Sequence, residues 1–130
     1  MINKTKNKIP ILPFVSIKNN ILGKSYSLSL AFVTKEQIKK FNKIYRNKNK
    51  PTNILSFPLS KVSGEILICP TLVKTELKKF NRNFRELLGF LVIHGMLHLK
   101  GMEHSSRMEK EENRYDKKYF CGNRHRVIND

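Results

Sequence analysis

Apolar positions follow three rhythms along the chain. From Phe84 to Leu99 they are nearly continuous, with Leu87, Leu88, Phe90, Leu91, Val92, Ile93, Met96, Leu97 and Leu99. That run is apolar around its whole circumference and predicts a buried central helix. After Thr34 the spacing falls to threes and fours, with Ile38, Phe41 and Tyr45 on one face. Thr34 and Gln37 stand in capping-box register, so an amphipathic helix is predicted that ends near Arg46. Short runs make up the third rhythm: 28–33, 54–57 and 65–69, each a predicted strand. The last two are bounded by proline or glycine and are expected to be inner strands forming an antiparallel pair. Pro70 is expected to start a helix through about Phe80, with Leu72, Val73 and Leu77 as its stripe. A final helix from Ser105 or Ser106 places Met108, Glu112 and Tyr115 on one face, but charges dominate it and it reads as a solvated lid. Residues 1–13, broken by Pro10 and Pro13, read as a mobile basic arm, and 121–130 as a basic tail in which His125 has no partner.

A chain of 130 residues is expected to be one domain. No stretch approaches the roughly 18 apolar residues of a membrane span, and the N-terminus lacks the cleavage pattern of a secretion signal. A cytoplasmic protein with no membrane partner is expected. Cys69 and Cys121 are too few for a disulfide framework and are read as reduced, Cys69 in a buried strand. With 26 Lys and Arg against 10 Asp and Glu, the net charge is +16, which points to an anionic partner, most simply nucleic acid. Lys, Asn and Ile also accumulate in A- and T-rich coding sequence, so charge alone does not locate a binding face.

Chemistry concentrates in one stretch, where His94, His98 and His104 supply three of the four histidines. Positions 94 and 98 lie one turn apart on the same helix face. Gly101 can take the left-handed conformation that reverses the chain and brings His104 back towards them. Three imidazoles that leave a position open are the mark of a catalytic metal site rather than a structural one. Zinc suits them, although Ni, Co and Cu favour the same ligands. The spacing is that of metzincin peptidases, His-Glu-x-x-His-x-x-Gly-x-x-His, but their catalytic glutamate is replaced here by Gly95. Peptide hydrolysis by that route is therefore disfavoured, and a peptidase would need a remote base.

The motif His94-Gly95-x-x-His98-Leu99-x-Gly101-x-x-His104 resembles the signature of the YbeY proteins, bacterial metal-dependent endoribonucleases of ribosomal RNA maturation. Asn42-x-x-Tyr45-Arg46, Pro51-Thr52-Asn53-Ile54-Leu55-Ser56-Phe57-Pro58 and Gly64-Glu65-Ile66-Leu67-Ile68-Cys69 are similar to further segments of that family. Glu65 and Glu103 stand where the family usually has Asp. The resemblance implies an α+β fold with a small mixed sheet, several helices and one metal, Zn²⁺, held in a cleft on the central helix by His94, His98 and His104. It implies cleavage of single-stranded RNA in ribosomal RNA maturation and ribosome quality control, with ribosomal particles as the setting.

Arg46, which sequence alone would assign to the end of its helix, becomes by this resemblance a catalytic, phosphate-binding residue beside the histidines. Ser56 is expected in the cleft, and Lys48 and Lys50 are expected to guide the strand. Glu103 is a candidate acceptor for a histidine N–H. Two other readings stay open: a different single-zinc hydrolase, and a ribosome-assembly binder without catalysis.

Overall fold

Helix α5 (Phe84–Leu99) is the axis of the molecule. The structure is a computed structural model and describes residues 1–121, of Cys121 the backbone alone. Asn83 opens α5 by accepting from the Glu86 amide while the Glu86 carboxylate accepts from the Asn83 amide, a capping box absent from the sequence reading. Leu87, Leu88, Val92, Ile93, Met96 and Leu97 are fully buried, each stabilising the fold by about 1.5–3 kcal/mol. The predicted central helix is thus observed.

Helix α5 lies against one face of a four-stranded sheet of order β1-β2-β4-β3, formed by β1 (Ile2–Asn3), β2 (Ser27–Phe32), β3 (Ile54–Ser60) and β4 (Ser63–Ile68). The sheet is mixed, since β1–β2 and β2–β4 are parallel and β3–β4 is antiparallel. Strand alternation sorts its residues between two layers. Leu30, Phe32, Ile66 and Ile68 join the core under α5. Ala31, Val33, Leu55 and Leu67 face the other way, onto Ile38 of α2 (Lys35–Arg46). The Thr34–Gln37 capping box at the start of α2 is present in both directions.

Several expectations are corrected. β3 is one edge of the sheet and β4 is an inner strand, and Pro58 fits an edge because it has no N–H to donate to a neighbour. Residues 1–13 do more than form an arm: Ile2–Asn3 pair with β2, and Leu12 is buried. An unforeseen helix, α1 (Phe14–Ile21), follows Pro13 and buries Ile17 and Ile21. The Pro70 helix is two pieces, α3 (Pro70–Thr75) and α4 (Leu77–Phe80), broken at Glu76.

Nor is the last helix, α6 (Ser106–Asp116), a solvated lid. Met108, Glu112, Tyr115 and Asp116 are buried, and the Asp116 carboxylate takes a two-pronged ion pair from Arg82, at 3.0 and 2.7 Å, that pins the end of α6 beside the start of α5. Ser105, rather than Ser106, caps α6 by accepting from the Met108 amide. Cys69 is fully buried just after β4. The tail containing His125 lies outside the described residues. No helix among the described residues is long and apolar enough to cross a membrane.

Candidate metal centre

His94 and His98 project from the last two turns of α5, and the chain then reverses. Gly101 adopts φ +104°. Its amide donates to the His98 carbonyl at 2.9 Å, and the Met102 amide donates to the Leu97 carbonyl at 3.0 Å. This is the Schellman pairing, which satisfies two of the carbonyls left open at the helix end. The reversal returns His104 to the other two, with ring centroids 5.2 Å from His94 and 4.9 Å from His98. One nitrogen from each ring falls within 4.8 Å of the other two.

The tautomers follow from the outer partners. The Nδ1 of His98 donates to the Met102 carbonyl at 3.0 Å, and the Nδ1 of His94 donates to the Glu112 carboxylate. With both Nδ1 atoms protonated, the two Nε2 lone pairs face each other 3.1 Å apart. Unshielded lone pairs at that distance repel, whereas a cation between them binds both. Tetrahedral zinc with Zn–N bonds of about 2.0–2.1 Å separates its ligand nitrogens by roughly 3.3 Å. The three imidazoles could therefore hold a metal ion. Burial, reinforced by the neighbouring His94, lowers the His98 pKa below its ordinary value of 6.5, which keeps the ring in the neutral form that a metal needs.

The carboxylate behind the site is Glu112 on α6. Glu103, the sequence candidate for an outer acceptor, is exposed and lines the cleft. A carboxylate behind a ligating histidine orients the ring and raises its basicity. The signal for Glu112 was present in the sequence, as an acidic residue sharing a helix face with Met108 and Tyr115.

Gly95 faces the sheet. A Cβ there would lie 3.1 Å from Cδ1 of both Ile54 and Ile66, so a side chain at position 95 would crowd the seat of α5 on the sheet.

The histidines open into a cleft of about 670 Å³ that is also lined by Arg46, Thr52, Asn53, Ser56 and Glu103. Arg46 comes from the end of α2 and Ser56 from β3, so three elements distant in sequence meet there. Lys48 and Lys50 do not line this cleft. They border an adjoining cavity of about 400 Å³, and Arg46, Thr52 and Asn53 line both spaces.

A mixed sheet backing a buried helix, with three convergent imidazoles in an open cleft, defines an α+β protein with a site able to hold a metal ion. Residues 4–120 match the family model described as Endoribonuclease YbeY. This chain belongs to the YbeY family. It is similar to Endoribonuclease YbeY of Staphylococcus epidermidis, with 34% identity over 116 residues, covering 78% of this chain and 74% of that protein. The Thermotoga neapolitana Endoribonuclease YbeY is 38% identical over 93 residues, covering 71% of this chain and 62% of that protein. Among solved structures, the solution structure of TM1509 from Thermotoga maritima superposes with a TM-score of 0.60 at 31% identity, over 80% of this chain and 77% of that one.

Proposed function

We propose that this protein is a zinc-dependent endoribonuclease that cleaves single-stranded RNA in the maturation and quality control of ribosomal RNA, in the cytoplasm and on ribosomal particles. The observation that carries the reading is the meeting of Arg46 with the three histidines in one cleft. Family membership supports the reaction class, and the +16 charge supports an anionic substrate.

His94, His98 and His104 would hold the ion, with Glu112 fixing the orientation of His94 and the Met102 carbonyl that of His98. When bound, zinc supplies Lewis acidity for the attack of water on a phosphodiester. Arg46 presents a planar, permanently charged fork to the phosphate and stabilises the charge that builds on its oxygens. Ser56 offers a hydroxyl from the cleft wall, and Lys48 and Lys50 draw the strand along the neighbouring cavity. Single-stranded RNA suits an open cleft better than an A-form duplex, whose major groove is too narrow for side chains. The glycine at position 95 argues against the peptidase reading, because the usual general base is absent there.

Cleavage of an end-labelled single-stranded ribosomal RNA fragment tests the proposal. Arg46→Ala is expected to slow cleavage about 10²–10³-fold while metal content stays unchanged. Cleavage by Arg46→Ala at the wild-type rate, or cleavage that survives complete removal of metal, would overturn it.

A further inference from the structure

The cavity beside the metal cleft has a chemistry of its own. Its rim carries Arg46, Lys48 and Lys50, yet its lining includes the carboxylate of Glu76. Glu76 sits at the break between α3 and α4, where the interrupted helix turns it towards Asn53. The Asn53 Nδ2 donates to Glu76 Oε1 at 2.8 Å. That bond commits one carboxylate oxygen and orients the amide. It leaves Glu76 Oε2 and Asn53 Oδ1 as two acceptors with no second side-chain hydrogen bond among the described residues. Leu72 and Pro51 add apolar lining. Deeper in, Asn42 is 1% exposed; its Nδ2 donates to the Lys50 carbonyl at 2.9 Å, which ties down the basic loop.

Cations at the rim, an apolar lining and a pair of acceptors inside are the requirements of one nucleotide: phosphates outside, a base within. A volume of about 400 Å³ falls within the range of small-ligand sites. Acceptors select a base edge with adjacent N–H donors. Of the four RNA bases only guanine offers two neighbouring donor groups, N1–H and the N2 amine, on its Watson–Crick edge. Adenine and cytosine place a ring acceptor beside their amine, and that acceptor would meet a carboxylate lone pair. Uracil offers a single N–H between two carbonyls.

We infer that this cavity is a guanine subsite, in which Glu76, oriented by Asn53, reads the base of a nucleotide next to the phosphate held by Arg46. This rests on the ribonuclease reading. It adds a sequence preference, for which the carboxylate is the determinant.

The test is binding of labelled single-stranded RNA hexamers to metal-stripped protein at low salt, where no cleavage intervenes. The probes are hexa-adenylate and the same hexamer with one central guanosine, inosine or 1-methylguanosine. Guanosine is expected to bind roughly tenfold more tightly than adenosine at that position. Inosine, which lacks the N2 amine, should lose part of this gain, and 1-methylguanosine, which lacks N1–H, nearly all of it. Glu76→Gln should reduce the preference for guanosine over adenosine to within about twofold. The base analogues read the site on unaltered protein, so the result stands even if the variant folds poorly. Equal affinity of the wild type for the guanosine and adenosine hexamers, or an undiminished preference in folded Glu76→Gln, would overturn the subsite and leave the ribonuclease reading in place. Failure of every hexamer to bind would overturn both.

Discussion

The three histidines are held in two different ways. His94 and His98 stand on a helix whose other faces are embedded in the core, so folding has already fixed the backbone that carries them. His104 stands in an exposed turn and owes its place to local turn chemistry: the Gly101 reversal on one side and the Ser105 side-chain cap on the other. Two ligands are pre-organised by packing and the third by a turn. On the proposed reading, a preformed pair would capture a metal first and the turn would enclose it second.

The largest effect should separate the two kinds of ligand. His98→Ala is expected to take metal content from about one ion per chain to near none, while His104→Ala should still take up metal when it is supplied in excess, and lose it on dialysis. Elemental analysis before and after dialysis checks this, and equal loss from both variants would erase the distinction. A smaller effect is expected behind the helix pair, where Glu112→Gln keeps the shape but removes the charge opposite His94 Nδ1. Metal affinity measured by chelator competition should fall about 10–100-fold, and an unchanged affinity would mean that Glu112 serves only packing. The smallest is expected in the turn. Gly101→Ala places a side chain at φ +104°, at a cost of about 1–2 kcal/mol. Thermal melting of metal-free protein should register this as a drop of about 3–8 °C. A melting temperature equal to wild type would show that the turn relaxes freely.

How legible each part was depended on whether its cause was local. The α5 run, the Thr34–Gln37 box and the reversal at Gly101 are written in adjacent residues, and all three were readable. So was the histidine cluster, because helix pitch and one glycine suffice to assemble it. Helix α1 was missed because Pro10 and Pro13 suggest extended chain and no side chain caps its start; its order comes from burying Ile17 and Ile21 against other elements. β3 was misplaced inside the sheet because an apolar run does not reveal which neighbour a strand lacks. Glu112 was hidden in a helix whose charge suggested solvent, and its role depends on α6 docking on α5. The placement of Arg46 came from family resemblance, since nothing in a helix end says what lies across a cleft.

Gly95 has a consequence beyond its missing side chain. It lets α5 ride low on β3 and β4, with Ile54 and Ile66 directly beneath position 95, so the sheet acts as a gauge block that sets the height of both helix-borne imidazoles. The same close seating joins the reactive centre to the foundation of the molecule. A change under the helix would travel to the nitrogens as a lever arm carries a small displacement at its fulcrum. In this protein the tolerances of the workshop are therefore set at the floor rather than at the bench.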